Sequence, residues 1–299
     1  MKKGIRIGLG ILLVMVLVFG AGSLMYWYIQ TEKNEQANQE AQFLVDIPES
    51  ELPMAEMPDP SANPPVSDPV WEPAEEQTLL PTQEPEAEEP PAPEFDDPVA
   101  SSLRDTELKE LQEKNPDVVA WIVIPDTPIS YPVLQGEDNV FYLKHNWKKE
   151  RNSGGSIFME CKNSADFTDF NTLVYGHRMR DSSMFNALQY YEEADFLAEH
   201  PRIYIVTNEG VLIYEIFASG RVTITDPVYW LITDQEHYKQ RMIEFCLENS
   251  AVDTGIVPTV EDSLLTLSTC TSTRGSDYRW IVSAIRIGMV EHTVMESAE

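Results

Sequence analysis

The sequence predicts a mostly β fold: a closed or nearly closed barrel of short strands with a few peripheral helices, built from residues 103–299. Three observations carry this. Short stretches of strand period recur from residue 118 almost to the end. Helical stretches between them are few, so strands and helices do not alternate as a parallel α/β sheet requires. Turn signals such as Asn208-Glu209-Gly210 join neighbouring strands directly.

The elements follow in order. Residues 106–114 form a short amphipathic helix, acidic in its first turn, and Asn115-Pro116-Asp117 stops it. Strands are expected over 118–124 and 129–134, separated by a Pro125–Pro128 turn. Residues 136–143 read as a turn and a helical turn. Ser153-Gly154-Gly155 leads into a strand over 156–160. A strand over 172–175 closes on Gly176-His177. Helices are expected over 183–190 and 194–200, and a hairpin over 201–206 and 211–219. The helix over 234–249 places Tyr238, Met242, Phe245 and Cys246 at apolar-face spacing. The strand over 263–270 has Leu265, Leu267 and Thr269 on one face and Thr266, Ser268 and Cys270 on the other. A polar loop follows, and the return strand runs from Tyr278 to Val290.

The N-terminal third differs. Residues 1–6 carry Lys2, Lys3 and Arg6, and residues 7–29 hold no charge and end in Tyr26-Trp27-Tyr28. Such a run covers about 35 Å as a helix, which predicts an uncleaved transmembrane signal-anchor with residues 1–6 in the cytoplasm. A cleaved signal peptide is the rival reading. The expected localisation is then a single-pass cell-membrane protein with its folded domain outside the cell. Residues 30–102 read as an acidic, Pro- and Glu-rich disordered linker, opening on a polar stretch that reads as a short helical extension.

The formal net charge is −29, which makes nucleic acid a poor partner. Cys161, Cys246 and Cys270 are odd in number and widely spaced, with no CxxC or Cys/His cluster, so neither a disulfide scaffold nor a metal site is implied, and no cofactor. A cysteine at a strand end is most often a small buried apolar residue. As a nucleophile, Cys270 would need a base or an electropositive setting. His177 is the histidine presented by a sharp turn after a strand and a glycine. Arg279, at the start of the returning strand, could supply donors to an anionic intermediate. Arg274, in the loop, is its rival.

These residues carry a resemblance. Thr266-Leu267-Ser268-Thr269-Cys270 with an arginine on the next strand, and Tyr175-Gly176-His177 upstream, resemble the sortases. Asn115-Pro116-Asp117-Val118-Val119-Ala120-Trp121-Ile122, Asp138-Asn139-Val140-Phe141-Tyr142-Leu143 and Gly155-Ser156-Ile157-Phe158 are similar to blocks of class B, as is the helix before the Cys strand. The resemblance implies a sortase-type closed barrel of about eight strands. It implies a cysteine transpeptidase in which Cys270 forms a thioacyl-enzyme at the threonine of a sorting signal. His177 then acts as general acid and base, and Arg279 stabilises the oxyanion. It implies Asn139, Leu143, Tyr175 and Ser268 as positions lining the substrate groove, with Tyr229 as a further one. Implied partners are surface proteins with a C-terminal sorting motif, and a peptidoglycan or pilin amine as acceptor. Thr271 and Ser272 stand where many class B members carry an acid. Cys161 and Cys246 match no catalytic position and read as packing residues. Alternatives are a pilin-polymerising enzyme, a plain cysteine hydrolase, and a non-catalytic binder of sorting peptides.

Overall fold

The structure, a computed structural model, describes residues 22, 25, 26, 28–45, 97–231, 235–270 and 277–293, without the side chain of Cys270. Eight strands close into a barrel in the order β1-β2-β3-β4-β7-β8-β6-β5. They are β1 (Val118–Val123), β2 (Ser130–Leu134), β3 (Ile157–Met159), β4 (Asn171–Gly176), β5 (Arg202–Val206), β6 (Gly210–Thr223), β7 (Leu264–Cys270) and β8 (Tyr278–Glu291). Closure removes the exposed strand edges that an open sheet must protect. The β2–β3 and β4–β7 pairs are parallel and the rest antiparallel.

Period-2 alternation divides the side chains between two layers. Leu265 and Leu267 of β7 join Ile122, Ile205, Leu212 and Val282 in the barrel interior. On the outer face of β7, Thr266 Oγ1 donates to Asn171 Oδ1 at 2.9 Å. There α5 (Glu236–Glu248) packs Met242, Ile243 and Cys246 against Phe217, Leu264 and Ile281. The long β6–β8 pair carries two register shifts, between Ile213 and Tyr214 and between Ile216 and Ala218, which bend it around the barrel. β6 runs to Thr223 rather than stopping at Ser219. Gly220 permits this: a Cβ there would lie 2.5 Å from the Asn249 carbonyl oxygen.

Three helices cover the opposite wall. The helix α1 (28–45) buries Asn34, Ala37, Ala41 and Val45, one residue every three or four. Trp147 Nε1 donates to Ala37 O at 2.6 Å, and Asn152 Nδ2 to Gln30 O at 3.0 Å. Lys148 and Lys114 pair with Glu40. So the polar stretch after residue 30 is, up to residue 45, part of the packed body; residues 46–96 lie outside the described residues. The helix α2 (Pro98–Leu103) escapes the sequence reading because it ends a Pro-rich run. Asp97 caps it, accepting from Ala100 N at 2.9 Å, and pairs with Arg202 Nη1 at 2.8 Å. The third helix is α3 (Lys109–Lys114). The helix expected over 183–190 is a 3-10 helix, Phe185–Glu192, followed by α4 (Ala194–Glu199).

The membrane localisation is corrected. Among the described residues no helix is long and apolar enough to cross a membrane. The expected anchor over residues 7–29 lies mostly outside the described residues. The helix that contains its end carries Glu32, Lys33, Glu35 and Glu40, charges that hydrocarbon excludes.

Candidate active site

Strand register assembles the site. β4 and β7 run parallel, with Tyr175 opposite Ser268 and Gly176 opposite Thr269. His177 follows Gly176, and Cys270 follows Thr269. Across the antiparallel β7–β8 pair, Cys270 stands opposite Arg279. His177, Cys270 and Arg279 therefore come to the same end of three adjacent strands. Gly176, the last residue of β4, lets Ile157 and Phe185 pack against the backbone there: a Cβ would lie 2.4 Å from Ile157 Cδ1 and 2.7 Å from the Phe185 ring.

The His177 ring is bonded to the 3-10 turn Phe141–Leu143. Its Nε2 lies 2.8 Å from Leu143 O, an acceptor only, so Nε2 carries the proton in this bond. Phe185 N donates to the His177 carbonyl at 3.0 Å. Arg279 is half-buried and donates from Nη1 to Tyr278 O at 2.9 Å. Arg274, Thr271 and Ser272 lie outside the described residues.

The expected groove residues form a band beside these strand ends. A 3-10 turn, Pro227–Tyr229, brings Tyr229 to β7, where its hydroxyl meets Ser268 Oγ at 2.7 Å. Tyr175 OH donates to Glu160 Oε2 at 3.0 Å, and Asn139 Nδ2 donates to the same oxygen at 2.6 Å. Asn139 leads into the 3-10 turn Phe141–Leu143, whose last carbonyl holds His177. Burial, then the adjacent Glu160 charge, holds the Tyr175 phenol above its usual range and protonated.

Sequence reasoning missed Glu160. A glutamate at a strand end reads as a solvated charge, yet this one is only 5% exposed. The two other thiols differ from one another. Cys246 is buried under α5, and desolvation pushes its thiol up to about 12. Cys161 is half-buried outside the core and donates from Sγ to Glu160 Oε1 at 3.4 Å, so it is not the core packing residue expected. Desolvation, then the Glu160 contact, raises its pKa as well.

Comparison with known proteins agrees with this architecture. The sortase domain family model matches residues 122–287. The chain is 38% identical over 178 residues to Sortase B of Listeria monocytogenes, covering 58% of this chain and 70% of that protein. The Staphylococcus aureus sortase B–substrate complex superposes with a TM-score of 0.57 at 30% identity, covering 60% of this chain and 84% of that one. A sortase B complexed with triglycine superposes with a TM-score of 0.57 at 29% identity, covering 63% and 86%. The match spans the barrel and the strand ends described above, and the chain belongs to the sortase family of cysteine transpeptidases, in class B.

Proposed function

We propose that this chain cleaves a C-terminal sorting signal after threonine and transfers the acyl group to a peptidoglycan amine. The register that brings His177, just after β4, to the same end as Cys270 of β7 and Arg279 of β8 carries the reading. The Cys270 thiolate adds to the threonine carbonyl carbon, and Arg279 donates hydrogen bonds to the developing oxyanion. The C–N bond breaks as His177 gives a proton to the departing amine, leaving a thioester. The acceptor amine then attacks that thioester, His177 takes its proton, and the C–S bond breaks to return the thiolate. With Nε2 bonded to Leu143 O, Nδ1 is the nitrogen assigned to these proton transfers.

Asn139, Leu143, Tyr175, Ser268 and Tyr229 are the proposed groove. Binding of a substrate and of triglycine by related sortase B enzymes supports a peptide donor and an amine acceptor. The test is incubation of the full chain with a quenched sorting peptide and triglycine, followed by mass spectrometry. A peptide–triglycine adduct that disappears in Cys270→Ala is the expected result. Cleavage that persists in Cys270→Ala overturns the catalytic assignment. Cleavage without an adduct makes the chain a hydrolase, and an adduct formed only with a lysine peptide makes it a pilin-type polymerase.

A further inference from the structure

We propose that Glu160 is a positioning residue that fixes the polarity of the substrate groove and ties it to the His177 loop. The inference rests on the transpeptidase reading above. Glu160 follows β3, and its side chain is buried among neutral donors. Oε2 accepts from Asn139 Nδ2 at 2.6 Å and Tyr175 OH at 3.0 Å. Oε1 accepts from Cys161 Sγ and from Lys162 N, both at 3.4 Å. An ionised carboxylate is acceptor-only, so each of these partners must point a hydrogen at it.

That requirement propagates. Tyr175 gives its one proton to Glu160, so its oxygen can only accept from anything else in the groove. The Asn139 amide is oriented from both ends, because Oδ1 accepts from Cys161 N at 2.9 Å while Nδ2 donates to Glu160. O and N of this amide are thus assigned by chemistry. Asn139 also anchors the start of the segment that ends in Leu143, the residue whose carbonyl accepts the hydrogen bond from His177 Nε2. Tyr175 lies two residues before His177 on β4. One carboxylate thereby holds both chain segments that border the imidazole. A carboxylate accepting several hydrogen bonds at a buried point orients more strongly than a neutral group would.

Glu160→Gln in the full chain tests this. The substitution keeps the size but turns one acceptor into an N–H that faces the donors already there. The expected result is a KM for the sorting peptide raised about tenfold or more. Adding Tyr175→Phe to Glu160→Gln should then cost little beyond either change alone, because both break one unit. In NMR spectra of the intact protein, the Asn139 side-chain amide protons should move upfield. An unchanged KM with unmoved Asn139 signals overturns the proposal, and so do strictly additive effects of the two substitutions. Should Glu160→Gln fail to fold, Glu160→Asp, one methylene shorter, takes its place with the same readouts. If the unaltered chain cleaves no sorting peptide, the transpeptidase reading fails. The Asn139 signals then decide the Glu160 arrangement on their own.

Discussion

His177 Nε2 and the Leu143 carbonyl oxygen are 2.8 Å apart, which fixes the imidazole tautomer from a turn 34 residues upstream. The proton-transfer role assigned to His177 then depends on the ring, not on the bond alone. His177→Gln can keep a donor to Leu143 O but cannot shuttle protons. We expect it to lower kcat/KM for a sorting peptide by about 10²–10⁴-fold, with the midpoint of thermal unfolding little changed. Steady-state kinetics beside a melting curve checks this.

Arg279 stands opposite Cys270 in the β7–β8 ladder, whereas Arg274 falls between the two in sequence and lies outside the described residues. Arg279→Ala should cost about 10²–10³-fold in kcat, and Arg274→Ala should cost far less. Arg279→Lys should recover only part, because an ammonium lacks the planar fork. Parallel kcat measurements on the three variants decide it, and the reverse order would mean that Arg274 is the working arginine.

Gly176→Ala places a methyl 2.4 Å from Ile157 Cδ1 and 2.7 Å from the Phe185 ring. Overpacking at such a point costs about 1–3 kcal/mol. Because His177 is the next residue, activity should fall further than this loss of stability explains. Urea unfolding and peptide cleavage measured on the same preparation separate the two effects.

Ala41, fully buried on α1, is a test of the docked helix. Ala41→Asp places a carboxylate against the barrel wall and should cost about 3 kcal/mol, or release the helix. The Trp147 indole N–H, bonded to Ala37 O, should then exchange faster with solvent in NMR. An unchanged exchange rate would show that α1 docking does not protect it.

Cys246 supplies a pH prediction. Its thiol titrates near 9.0 when unfolded and at about 12 in the folded chain. The folded pKa is raised, so the unfolded state loses the proton first as pH climbs. The stability linked to this group is fully present below pH 9 and declines from there toward pH 12. At pH 8 the native Cys246 should resist alkylation and react only after denaturant is added, which a mass-mapped iodoacetamide reaction measures.

Much of the architecture was legible because period-2 alternation survives wherever one face of a strand is buried. β7 reads directly from Leu265 and Leu267 against Thr266 and Ser268. His177 stood out because a glycine precedes it where a strand pattern ends, although that glycine serves as the last residue of β4 rather than as a turn. Other features had no such signature. The buried stripe of α1 consists of Asn34, Ala37, Ala41 and Val45, too small and too polar to register as an apolar face. Glu160 looked like any surface acid, since its burial comes from partners 15 and 21 residues away. The length of β6 was hidden because Ser219-Gly220-Arg221 imitates a turn. Strand register, which sets the site, is a tertiary property: nothing local to Gly176 or Thr269 says that they pair.

The parallel β4–β7 pairing has a consequence for how the proposed site depends on the whole fold. The two strands are separated in sequence by β5, β6 and α5, so their contact is among the most non-local in the molecule. His177 and Cys270 are neighbours by that pairing alone. A partly assembled chain has both residues but not the register that brings their backbone positions to one end of the sheet. Topology itself thus makes the proposed catalytic set depend on completion of the barrel.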